Sequence, residues 1–224
     1  MIAKKQIISQ TSELMQVARK RGEYNYGINN LHGNVGEEKF AITSGMRDDC
    51  GNFYKNPNPT ATIDFPIDIV KNSLLPNFLH YGHGIEFKMI NEEKSISIKI
   101  GDPGLNANFI RTGGYVLGGF IWRGKPENIV DLKFWICNQD CIDEFSLSNC
   151  QRVRNLLFHK TNESWTYTPK DFNAEVRAIN KDLRESNSSV LISSGLRNDY
   201  PNKRCAQVQT KKRFFDLSEE LVLD

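Results

Sequence analysis

Asp68, Glu86 and Lys88 are spaced as a metal-dependent hydrolase could use them. The aspartate lies in "PID", and eighteen residues later "IEFK" supplies a Glu-x-Lys triplet. Carboxylates are hard oxygen ligands suited to Mg²⁺, which activates water and neutralises charge developing on a phosphate, while a nearby lysine assists. The same triplet also reads as the polar face of a strand whose other face is Ile85, Phe87 and Met89, because alternate residues of an extended chain point opposite ways. Lys71 offers a different chemistry. In "TIDFPIDIVKN" it shares parity with Phe65, Ile67 and Ile69, so on one continuous strand it would extend an apolar row. A desolvated ammonium gives up its proton more readily, and a neutral amine condenses with an aldehyde to form a Schiff base. The plainer alternative ends the strand at Lys71 and lets the side chain reach solvent.

Three further groups carry possible chemistry. Asp216, in "KKRFFDL", follows two phenylalanines and a cationic triplet that includes Arg213. A carboxylate shielded by aromatic faces and held by arginine could stabilise a cation or position a water; it could equally close a terminal strand. Tyr54 lies in the Asn- and Pro-rich loop "CGNFYKNPNPT", where an aromatic can stack on a base or anchor the loop. Cys137, Cys141 and Cys150, with His159 beyond, could supply four zinc ligands, but the C-x3-C-x8-C spacing lacks the tighter knuckle of structural zinc sites. Cys137 closes the apolar run "LKFWIC" and reads as a small buried hydrophobe.

Net charge is only +2, yet the charge is unevenly placed. Arg197, Lys203, Arg204, Lys211, Lys212 and Arg213 stand against one acid, Asp199, and "QRVRNLLFHK" holds no carboxylate. Such clustering lets a near-neutral protein hold a polyanion, though a solvated charged face reads the same way. Composition is that of an ordinary globular chain, 39% apolar and 25% charged, which argues against a disordered or fibrous class. No apolar run approaches a membrane span and no secretory leader opens the chain. With an odd count of five cysteines, this points to a cytoplasmic protein with reduced thiols.

The elements that must position these residues follow from periodicity. Residues 5–21 have helical spacing, and strand patterns are read from "EKFAITSGM" onward through "ATIDFPIDIV", "GIEFKMI", "KSISIKIG", "FIRTGGYVLGGFIWRG" and "IVDLKFWIC". The pairs Gly113-Gly114 and Gly118-Gly119 suggest bulges or strong bending. Helices are expected in "SNCQRVRNLLFH" and, with Thr168 as cap and Pro169 first, in "TPKDFNAEVRAINKDLRES"; strands "SVLISSGL" and "RCAQVQTKKRFFDL" close the chain. The order is that of an α+β fold with a mainly antiparallel sheet, in a single domain over 1–224. "ITSGMRDD" (42–49) echoes "ISSGLRND" (192–199), pairing Arg47 with Arg197; common turn chemistry explains it as readily.

With these residues in view, the chain resembles the half-pipe, PabI-type restriction DNA glycosylases, nearest the lysine-bearing mesophilic branch. The resemblance covers essentially the whole length through the order of elements and the glycine-broken sheet. It implies a strongly curved half-pipe sheet with flanking helices, and a homodimer on double-stranded DNA. It also implies adenine excision within a short palindrome, GTAC in known members, and no metal or cofactor. Lys71 matches the lyase lysine that nicks the abasic site by β-elimination. Asp216 matches the aspartate that directs water or stabilises an oxocarbenium-like state, and Tyr54 the pocket tyrosine. Arg213 stands where the archaeal pattern has histidine, and Arg19 or Arg21 would stand for the N-terminal arginine. Arg21, Arg47, Arg197, Lys203, Arg204, Lys211 and Lys212 are the expected DNA contacts. A cognate methyltransferase would act on the same site without needing to bind the protein. Two rivals follow from the residues: a Mg²⁺-dependent restriction endonuclease of the PD-(D/E)xK kind using Asp68, Glu86 and Lys88, and a DNA-binding protein without catalysis.

Overall fold

The computed structural model describes residues 3–25, 31–57, 63–93, 98–141, 147–153, 160–161, 164–165, 169–194 and 206–223. They fall into two compact units, one of Met1–Ile96, Gly114–Ile136 and Glu219–Asp224, the other of Ser97–Gly113 and Cys137–Ser218. Each is assembled from separate stretches of chain, which leaves no composition-biased linker to read in the sequence.

The first unit begins with two helices. Helix α1 (Lys4–Lys20) buries Ile7, Thr11, Met15 and Ala18, a stripe at helical spacing, and ends on Arg19 and Lys20, cations that suit the negative end of the helix dipole. Helix α2 (His32–Thr43) replaces the strand expected from Glu38 onward. Its buried Val35, Lys39 and Phe40, and Thr43 recur every three to four residues, and Thr11 Oγ1 meets Thr43 Oγ1 at 2.9 Å to join the two helices. That stripe becomes visible only when the pattern is followed back to Val35.

A mixed, mostly antiparallel sheet follows in the order β1-β2-β3-β4-β9. Its strands are β1 (Phe65–Pro66), β2 (Gly84–Asn91), β3 (Tyr115–Trp122), β4 (Ile129–Cys137) and β9 (Glu220–Leu221). Immediately after β1 the chain coils into helix α3 (Ile67–Lys71), so "TIDFPIDIVKN" is not one strand. β2 and β3 are parallel, in unbroken register from Ile85↔Val116 to Asn91↔Trp122. Gly118-Gly119 therefore forms no bulge. Gly118 faces Phe87 across the ladder, and its missing side chain makes room for the rings of Phe87 and Phe134.

The core of this unit is aromatic. Phe40 of α2 stacks on Phe87 at 4.0 Å and 11°, while Phe120 meets both rings edge-on. Ile7, Val70, Ile85, Val116, Leu132 and Phe134 complete the layer. Burying each large apolar side chain contributes roughly 1.5–3 kcal/mol.

The second unit holds helix α4 (Pro103–Arg111), with Asp102 Oδ1 capping Leu105 N–H at 2.8 Å. Residues 147–153 form helix α5; the short strands β5 (Lys160–Thr161) and β6 (Ser164–Trp165) pair with each other. Helix α6 (Pro169–Glu185) buries Phe172, Val176, Ile179 and Leu183, the face read from sequence. It is tied to β7 (Val190–Ser194) by both ends of the Asn180 amide. β7 pairs with β8 (Ala206–Thr210). The chain then turns into helix α7 (Lys212–Leu217), in place of the strand expected for "KKRFFDL"; burying Phe214 while Lys212, Arg213 and Asp216 stay exposed follows a helical period.

A methyl group at residue 118 would lie 2.8 Å from the Phe134 ring and 2.9 Å from that of Phe87. Gly118→Ala is expected to lower unfolding free energy by about 1–3 kcal/mol. Gly33→Ala, whose added carbon meets nothing, should leave stability unchanged or raised; urea denaturation of both variants checks this.

Candidate active site

β1 is two residues long, but its pairing builds a site. Phe65↔Ile85 and Pro66↔Gly84 are antiparallel partners, and one further step in that register sets Asp64 opposite Glu86. Asp64 Oδ2 accepts from the Phe87 backbone N–H at 2.8 Å and from Lys88 Nζ at 3.2 Å. Lys88 Nζ also donates to the Phe87 carbonyl at 2.8 Å and lies 2.5 Å from Glu86 Oε1. Asp64 and Glu86 are 5% and 2% exposed, so both carboxylates are out of water. One ammonium faces two carboxylates, and no donor reaches Glu86 Oε2.

Burial is the largest influence on Glu86 and pushes its carboxyl well above the usual range. The Lys88 ammonium opposes that rise, and the charge of Asp64 adds to it. For Lys88 burial works against the charged form, yet Glu86, Asp64 and Glu37 together hold the ammonium above the ordinary lysine range. The cluster thus keeps a charged lysine and a carboxyl short of positive partners.

A cleft of about 360 Å³ opens on Asp64, with Glu37 and Glu38 of α2, Tyr54, Lys55 and Asn56 among its walls. Lys39 pairs with Glu38 at 3.1 Å and with Glu23 at 3.3 Å. Tyr54 is placed by its backbone N–H on the Met46 carbonyl at 3.0 Å and by edge-on contact with Phe65 at 6.1 Å. Burial first, and then the charge of Asp64, push its phenol up. Among the residues singled out from sequence, Glu86 and Lys88 meet at the Asp64 cluster, and Tyr54 lines the cleft that opens on Asp64.

Asp68 does not join them. It sits exposed in the first turn of α3, and Asp64, four residues earlier, is the aspartate that meets Lys88. Both aspartates stand in the same stretch; the signal for Asp64 was the antiparallel register, which needs the strand end at Pro66. Lys71 is exposed at the last position of α3. The helix breaks the parity on which its apolar row depended.

Asp216 and Arg213 are exposed on α7 in the second unit; Arg213 donates to the Asn187 carbonyl. Phe214 is buried while Asp216 is not, so no aromatic shield encloses the carboxylate within its helix. Arg47 stacks on Phe53, 4.2 Å from the ring centroid, and donates to the Gly51 carbonyl at 2.6 Å. Arg21 caps α1 and is exposed, as is Lys212; Lys211 is half-buried. Arg19 pairs with Glu127, which Tyr24 also reaches at 3.0 Å, a tie inside the first unit. Arg197, Lys203 and Arg204 lie outside the described residues, and with them one half of the Arg47–Arg197 echo.

Asp64, Glu86 and the Phe87 carbonyl form an oxygen-only donor set that fits a hard divalent cation, and Glu86 Oε2 is a buried oxygen without a donor. Among the described residues no group of three or more histidine, cysteine, aspartate and glutamate side chains is arranged for a metal, so any ion here would rest on two carboxylates, backbone and solvent. Cys137, Cys141 and Cys150 are buried and form no disulfide among the described residues, and His159 lies outside the described residues. No helix among the described residues is long and apolar enough to cross a membrane. No protein-family model, curated protein or solved structure matches this chain.

The raised Glu86 carboxyl fixes a pH dependence. Between the ordinary glutamate range and its raised value, the folded protein holds a proton that the unfolded chain has lost. Stability from this group is therefore present at low pH and falls as pH rises through that window. Glu86→Gln removes the slope and is expected to raise Tm at pH 8 by on the order of a few degrees. Thermal melts from pH 5 to 8 on both proteins check this; a mutant with a lower Tm throughout would show that the charge is compensated.

Proposed function

We propose that this protein is a Mg²⁺-dependent nuclease of the PD-(D/E)xK kind acting on DNA, with Asp64, Glu86 and Lys88 as the motif. The observation that carries this reading is the β1–β2 pairing, which brings Asp64 and the Glu-x-Lys strand around one shared cluster beside a cleft. Asp64, Glu86 and the Phe87 carbonyl would hold the ion. When bound, Mg²⁺ would supply charge neutralisation at the phosphate and make the attacking water easier to deprotonate, its proton passing to solvent. Lys88, whose ammonium lies beside both carboxylates, would act as a donor that stabilises negative charge on the phosphate oxygens. Tyr54 and Lys55 line the same cleft and would meet the nucleotide flanking the reacting bond. The exposed Arg21, Arg47 and Lys212 remain proposed contacts to the phosphate backbone.

The resemblance to half-pipe glycosylases gives the alternative: a strongly curved sheet, adenine excision and a lyase step through Lys71, with Asp216 at the glycosidic carbon. Under either reading the substrate is duplex DNA, and a homodimer would present two sites to a palindrome. The resemblance assigns no role to Asp64, Glu86 or Lys88, whereas the hydrolytic reading uses all three, and their meeting around one cluster favours hydrolysis.

One assay separates them. Duplex DNA containing GTAC among other sequences is incubated with wild type, Asp64→Asn, Glu86→Gln and Lys71→Ala, in Mg²⁺ or EDTA. Cleavage is expected only with Mg²⁺, reduced by at least about 100-fold in Asp64→Asn and Glu86→Gln and retained in Lys71→Ala. Adenine released in EDTA, with a borohydride-trapped adduct that vanishes in Lys71→Ala, would overturn the nuclease reading in favour of the glycosylase.

A further inference from the structure

The oxygens that would hold the metal already hold a cation. Lys88 Nζ lies 2.5 Å from Glu86 Oε1, 2.8 Å from the Phe87 carbonyl and 3.2 Å from Asp64 Oδ2. An ammonium has three donors and no acceptor, and here all three meet the oxygens of the proposed metal site. We propose that Lys88 is an internal counter-ion occupying the metal's own donor set, so that metal loading must displace its ammonium and release it for the substrate phosphate. This rests on the nuclease reading above.

Three features support it. A divalent ion and an ammonium cannot share three oxygens, since like charges a few ångströms apart repel strongly where water is scarce. The Lys88 side chain is 23% exposed while the side chains of Asp64 and Glu86 are 8% and 3% exposed, so the lysine has the readiest way out, on a flexible four-carbon stem. Glu86 Oε2 takes no donor, so the ammonium leaves one oxygen of the set uncompensated. The lysine thus keeps the carboxylates compensated while the site is empty, and it weakens the site's hold on metal.

Mg²⁺ binding without nucleic acid tests this by calorimetry on wild type, Lys88→Met, Asp64→Asn and, as control, Lys133→Met, whose ammonium pairs with Glu220 at 3.0 Å. Lys88→Met is expected to bind Mg²⁺ about tenfold tighter or more than wild type, with Lys133→Met unchanged and Asp64→Asn unable to bind. Equal or weaker binding by Lys88→Met, with Asp64→Asn still inactive in binding, would overturn the displacement and leave the nuclease reading standing. Absence of binding in every protein would remove both. A second readout uses the wild type alone: acylation of Lys88 by an amine reagent, followed by mass spectrometry, should accelerate several-fold when Mg²⁺ is added. A rate that stays the same or falls would overturn the proposal.

Discussion

Phe87 is the point on which both the core and the candidate site depend. Its ring stacks on Phe40 at 4.0 Å and meets Phe120 at 5.1 Å; its backbone N–H holds Asp64 and its carbonyl holds Lys88. Because successive strand residues point to opposite faces, fixing the ring in the core fixes Glu86 and Lys88 on the other face. A one-residue slip of β2 would put a carboxylate and an ammonium among phenylalanines and the ring outside. The aromatic layer therefore sets the register, and the register sets the chemistry.

The same arrangement opposes stability. Two carboxylates are buried against one ammonium, and removing each ion from water costs several kcal/mol before pairing offsets it. The stacked rings and the parallel β2–β3 ladder supply the compensating burial, with Gly118 leaving space for the rings of Phe87 and Phe134. A protein with only structural demands would place neutral side chains at residues 64 and 86. A cation could take over the compensation that Lys88 and the proton retained by Glu86 supply, and the cleft at Asp64 gives one a route to it.

Lys71 shows how a sound local argument fails when its premise changes. The parity that set it beside Phe65, Ile67 and Ile69 holds only while the chain stays extended. After Pro66 the backbone turns helical, and within one turn the alternation means nothing. A similar switch hid α2 and α7, where runs such as "FAIT" and "RFF" carry aromatic and β-branched residues favoured in strands. In both, packing of a helical face outweighed that local preference: Phe40 is in the core of the first unit and Phe214 is buried in the second.

Much of the rest could be read from the chain itself. Helices α1 and α6 follow from their apolar stripes, the α+β class from the order of patterns, and Glu86 and Lys88 from the spacing of Glu-x-Lys with apolar neighbours between. Tyr54 was distinguished by its loop. The "PID" spacing points to Asp68, yet Asp64 precedes the triplet at an equally workable distance, and a carboxylate carries no mark of its partner. That choice belongs to the pairing of Phe65 with Ile85, a contact between residues twenty apart. Local composition determines which residues can do chemistry; only strand register, a long-range property of the folded chain, decides which of them meet.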